Sequence, residues 1–133
     1  MEKLRVCIGS KDGENIPKTH LGDSPFFYIY DIFEGSEPEF IEKRENTARG
    51  MDHMGSDKMK KIIEIVGDVD LFVANRKSPN FANLAKKTRY QPVVIKTSDI
   101  REAIGQLQKS FRTLYEYASR KKAGELSGEI LEL

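Results

Sequence analysis

Apolar and polar residues alternate from the start of the chain, with Leu4, Val6 and Ile8 set against Arg5, Cys7 and Gly9. A period of two predicts a strand with one apolar face, ending near Gly9. Residues 10–25 carry Gly13, Pro17, Gly22 and Pro25 among many polar side chains and read as one long loop. Loops of that length in a compact domain are usually functional when ordered. Phe26 to Phe33 is nearly all aromatic or β-branched, a second strand; Glu34-Gly35-Ser36 is a turn, and Phe40 to Arg44 a third strand antiparallel to it. A polar segment follows, 46–55. Met59, Ile62, Ile63 and Val66 then lie at helical spacing between Ser56 and Gly67, and the run Val69 to Ala74 has the look of a buried parallel strand. Ser78-Pro79 opens a further helix with Phe81, Leu84 and Ala85 on one face. Pro92 to Ile95 forms another short strand. Asp99 to Glu102 is a capping box for a last helix, whose stripe runs through Ile100, Ile104, Leu107, Phe111, Leu114 and Ala118.

The order is β, β, β, α, β, α, β, α. A meander of three strands followed by helical crossovers gives a mixed five-stranded α/β sheet with helices on both faces, the first strand central. Residues 1–120 form one domain in this reading; 121–133 is a charged C-terminal tail or small added edge. The stripe from Ile100 to Ala118 is longer than one face of such a sheet needs, and with Tyr115 and Tyr117 it points to a homo-oligomer or partner contact.

Composition narrows the functions. With 133 residues, 38% hydrophobic and 32% charged, the chain suits one globular domain and lacks the ~18-residue apolar run of a membrane span. Lys plus Arg (22) against Asp plus Glu (21) leaves a net charge of +1, so no basic field draws it to nucleic acid. A single cysteine, Cys7, and an opening without the pattern of a signal peptide set the expectation of a cytoplasmic protein. No enzyme signature appears: GxSxG, Walker A, HExxH and CxxC are missing. A nuclease of the ribonuclease H type needs a metal-binding carboxylate on its first strand, where this chain has Arg5, Cys7 and Gly9.

The segment His20-Leu21-Gly22-Asp23-Ser24-Pro25-Phe26-Phe27-Tyr28-Ile29-Tyr30-Asp31 resembles the His-Phe-Gly-x-Ala/Ser-x-x-Phe stretch of the dinitrogenase iron-molybdenum cofactor biosynthesis family, the group of NifX, NafY and the C-terminal domain of NifB. The resemblance runs over residues 3–107. It implies a ribonuclease H-like three-layer fold of strand order 3-2-1-4-5. It also implies a non-catalytic binding or carrier protein for an iron-sulfur or iron-molybdenum cofactor precursor, with metallocluster donor or acceptor proteins as partners. The alternative is an interaction or regulatory module that kept the fold without the cluster. Leu21 stands where the family has Phe, and Asn75 to Pro79 where it has a glycine-rich turn.

Candidate ligands follow from donor chemistry. His20, in the glycine and proline loop, and His53, between Met51 and Met54, offer imidazoles to a metal. Cys7 lies near the carboxyl end of the first strand, where ligand crevices of open sheets form, and a thiolate is a strong iron ligand. Gly22 lets a backbone approach a ligand. Arg76, with Lys77, follows the fourth strand and faces the same crevice with positive charge.

Overall fold

The computed structural model describes residues 2–51, 56–125 and 128–133. Its elements are β1 (Leu4–Ser10), β2 (Phe26–Ile32), β3 (Glu39–Glu45), α1 (Ser56–Val66), β4 (Leu71–Ala74), α2 (Pro79–Lys87), β5 (Gln91–Val94), α3 (Ile100–Lys109), α4 (Phe111–Lys122) and β6 (Leu131–Glu132), with a 3-10 turn over Leu21–Asp23. The strands form one mixed sheet in the order β3-β2-β1-β4-β5-β6. β1 is antiparallel to β2 and parallel to β4. This is the expected three-layer α/β arrangement with β1 inside, extended by one strand.

Alternation along β1 divides the interior into two cores. Leu4, Val6 and Ile8 face α3 and α4 and meet Leu107, Phe111 and Leu114. Cys7 faces the other way, among Phe27, Ile29 and Phe72 and the apolar sides of α1 and α2. β4 is buried at all four positions, as suits a strand covered on both faces.

Three expectations change. The last helix is two helices, parted at Ser110, whose backbone turns to φ −100 and ψ 17 while its N–H donates to the carbonyls of Gln106 and Leu107. The bend keeps the stripe on the sheet, so Phe111, Leu114 and Ala118 are buried in the first core instead of forming a free face for a homo-oligomer. The sheet has six strands, because Leu131 and Glu132 pair parallel with β5 and the Leu133 N–H donates to the Val94 carbonyl. Gly67 follows α1 as expected, and a Cβ there would lie 2.5 Å from the Ile63 carbonyl oxygen.

Candidate functional site

The loop after β1 folds back over the carboxyl ends of β1 and β4. Ser10 Oγ donates to the Asn15 carbonyl and accepts from the Gly13 N–H, while Asp12 Oδ1 accepts from the N–H groups of Glu14 and Asn15. The bond from the Asn15 side chain, with those from the Asn15 and Glu14 N–H groups, holds the Asp12 carboxyl well below the usual carboxylate range. The turn requires glycine at 13, where φ is +78 and a Cβ would stand 2.8 Å from the Tyr28 ring. Backbone bonds from Ile16 to Ser98 and from Ile100 to Glu14 then tie the loop to the start of α3.

Farther along, Leu21 turns into the second core, and the 3-10 turn lays Ser24 across Gly9. A Cβ at Gly9 would come 2.2 Å from Ser24 Oγ, so the glycine lets the turn seat directly on the strand end. Ile16, Pro17 and Leu21 fill the space against Val73 and Ala74. The crevice expected between β1 and β4 is therefore plugged by the loop, and chemistry at this end belongs to its outer face.

Two side chains hold the turn from beneath. Asn46, 4% exposed, donates through Nδ2 to the carbonyls of Gly22 (2.9 Å) and Ser24 (2.8 Å) and accepts from the Ala48 N–H through Oδ1 (3.0 Å). Lys58, on α1, is almost fully buried and places Nζ 2.6 Å from Asp23 Oδ1. Neither residue stood out in the sequence. A lone Asn in a polar segment and a Lys on an amphipathic helix carry no local signal, since their partners lie more than twenty residues away.

His20 caps the outer end of this turn. It is half-buried, in extended backbone conformation, and its carbonyl accepts from the Asp23 N–H at 3.0 Å. Arg76 is exposed and reaches back to the Lys18 carbonyl at 3.5 Å, so its guanidinium lies on the same loop, two residues from His20. Lys77 turns away to Glu132, at 3.5 Å. Gly22 is buried, and the direction of its missing Cβ points to Lys58 Cε (3.1 Å) and Ile62 (3.3 Å), so its smallness lets α1 pack against the turn and exposes nothing to a ligand.

Cys7 is not on this surface. Its side chain is fully enclosed in the second core, and burial pushes the thiol well above its ordinary pKa, the reverse of what a metal-binding thiolate needs. His53 lies outside the described residues. Among the described residues, no three His, Cys, Asp or Glu side chains gather closely enough to hold a metal ion. Asn75, in place of the expected glycine turn, donates through Nδ2 to the carbonyls of Ile95 (3.1 Å) and Thr97 (2.9 Å), locking the ends of β4 and β5 together.

No helix among the described residues is long and apolar enough to cross a membrane. A family model described as dinitrogenase iron-molybdenum cofactor matches residues 2–110, and the chain belongs to that family. The match covers β1 through α3 and so includes the His20 turn and both residues that hold it. No curated protein matches the chain.

Proposed function

We propose, from membership of a family tied to nitrogenase cofactor biosynthesis and binding, that this chain is a non-catalytic carrier holding an iron-sulfur or iron-molybdenum cofactor precursor as cargo on the outer face of the His20 turn. The observation that carries the reading is a histidine set on a turn fixed by Asn46 and by the Lys58–Asp23 pair. An imidazole so placed loses little freedom on ligating iron. Arg76 supplies positive charge beside it for an anionic cargo. Cys7 has no part in this site; His53 is proposed as a second ligand.

One or two imidazoles are a sparse ligand set, and that suits transfer. Cargo anchored through few protein bonds keeps positions open for ligands from donor and acceptor proteins, so it passes on without a chemical step. The test is anaerobic reconstitution with ferrous iron and sulfide, following visible absorbance and bound iron, for the natural chain and His20→Ala, with a thermal melt of each. Loss of most of the uptake by His20→Ala at unchanged melting temperature is expected. Equal uptake by both removes His20 from the site.

The reading of an interaction module without cargo is favoured by one observation, the Asn75 lock where a flexible glycine turn was expected. No uptake by either protein would select it.

A further inference from the structure

On the opposite face of the sheet, away from the His20 turn, a cleft of about 670 Å³ runs between α3 and the β2–β3 ribbon. Tyr30 is the one aromatic residue of its lining, and two further rings flank it on the same ribbon. Tyr30 and Phe40 are cross-strand partners with ring centroids 5.3 Å apart, and the Tyr28 ring lies 6.3 Å from that of Phe40. Phe40 is 54% exposed, one of two large apolar side chains left open among the described residues. A β-bulge between the pairs of Ile29 and Tyr30 sets Phe40 on this face and Ile41 against the second core.

The walls carry more negative than positive charge. Glu14 and Asp99 stand at the Ile100 end and Glu37 at the Gln108 end, and Arg101 is the single basic residue of the lining. Asp99 is engaged in capping α3 through the Glu102 N–H. Glu14 and Glu37 form no ion pair among the described residues. Two such carboxylates in a cleft lined by the Tyr30 ring make a local environment selective for cations.

The cleft also has a fixed shape. Gln108 Nε2 donates to the carbonyls of Phe33 (2.9 Å) and Ser36 (2.8 Å), pinning the β2–β3 hairpin to α3, while the Gly13 loop is pinned at the other end. Gly105 lies midway along the helical wall, where an added Cβ would meet nothing within 4 Å. Between Ile100 and Gln108 the wall runs about 12 Å at 1.5 Å per helical residue, room for about four residues of extended chain.

We propose that this cleft is the docking groove for a basic, extended segment of a partner protein, its cationic side chains paired with Glu37 at one end and Glu14 at the other, one of them stacked on Tyr30 and reaching its neighbour Phe40. A guanidinium fits best, being planar and able to stack and pair at once. The groove is independent of the cargo site, so a carrier and a cargo-free module would both use it.

The experiment titrates the full chain into a fluorescein-labelled hexapeptide of alternating glycine and arginine, and into its glycine-glutamate counterpart, following anisotropy at two salt concentrations. Saturable binding of the arginine peptide alone, weakened by salt, is expected. Phe40→Ala and Glu37→Gln should each weaken it about two- to fivefold, the loss of one exposed cation–aromatic or ion-pair contact. Gly105→Leu should abolish it while raising the melting temperature, because leucine fills the groove and favours the helix. That rise separates a blocked groove from a failed fold. Absence of saturable binding, equal binding of the two peptides, or unchanged affinity in Gly105→Leu overturns the proposal. So does a concentration-dependent dimer that Phe40→Ala dissociates without peptide, which assigns the face to a second copy.

Discussion

Asp31 stands one residue before the end of the aromatic strand and is nearly enclosed, yet it is charged. Arg5 answers it with two parallel bonds, Nε to Oδ1 at 2.8 Å and Nη2 to Oδ2 at 3.1 Å, and Lys3 adds a third at 3.3 Å. The same guanidinium reaches Asp68 at 3.0 Å, which Arg44 grips from the other side at 2.6 Å. These partners hold the Asp31 and Asp68 carboxyls below the usual carboxylate range. A carboxylate with a depressed folded-state pKa stabilises the fold above its unfolded value, near ~3.9, and loses that contribution as pH falls toward the folded value. Stability should accordingly hold from neutrality to about pH 5 and decline below it. Asp31→Asn should cost about 1.5–3 kcal/mol at pH 7, measured by urea unfolding, with the gap to the natural chain narrowing below about pH 4. A gap independent of pH would remove the charge from the explanation.

At the scale of elements, the order of the His20 turn depends on two remote residues, Asn46 and Lys58. Asn46→Ala strands the carbonyls of Gly22 and Ser24 and the Ala48 N–H, and should cost about 2–4 kcal/mol, since buried groups left unpaired carry the full desolvation penalty. Hydrogen exchange should quicken at the Asp23 and Ser24 amides more than in β4 or β5; uniform quickening would mean that the clamp is global. Much of the element level was legible in the sequence. Period-two alternation marked β1, aromatic and β-branched runs marked β2, and Ser78 and Asp99 cap α2 and α3 through their side chains as their positions implied. The parting of α3 from α4 was not legible, because Ser110 is neither glycine nor proline and only packing on the sheet bends the chain there. Gly22 and His20 were legible as a motif, but that Gly22 serves α1 and that Cys7 points into the core depend on which side of the sheet each faces, which alternation alone does not assign.

For the whole molecule, the sixth strand sets the limit of the sheet. Ile130 packs on one core and Leu131 and Leu133 on the other, while Gln91 Nε2 donates to the Glu129 carbonyl at 3.0 Å. Ending the chain at Gly124 should lower stability by about 2–4 kcal/mol, from the apolar area these three partly bury. It should also bare the β5 edge to other chains. A melt with light scattering checks both, and an unchanged melting temperature without aggregation would show that the strand only decorates the edge.

Because β1 is made first yet lies inside the sheet, the order of synthesis and the order of assembly differ. The ribbon β1-β2-β3 can pair as soon as residue 45 leaves the ribosome, but β1 reaches across to Asp70, sixty-five positions on from Arg5, for its parallel side. Translation at about 5–20 residues per second leaves the nascent ribbon waiting ~1.5–6 s until β4 is complete. Through that interval β1 and β3 are its two edges, and β3 carries Glu39, Glu42, Lys43, Arg44 and Glu45. Charges of both signs along an open edge deter pairing with neighbouring chains, so the polar β3 guards its edge during the protein's own birth as well as in the finished sheet.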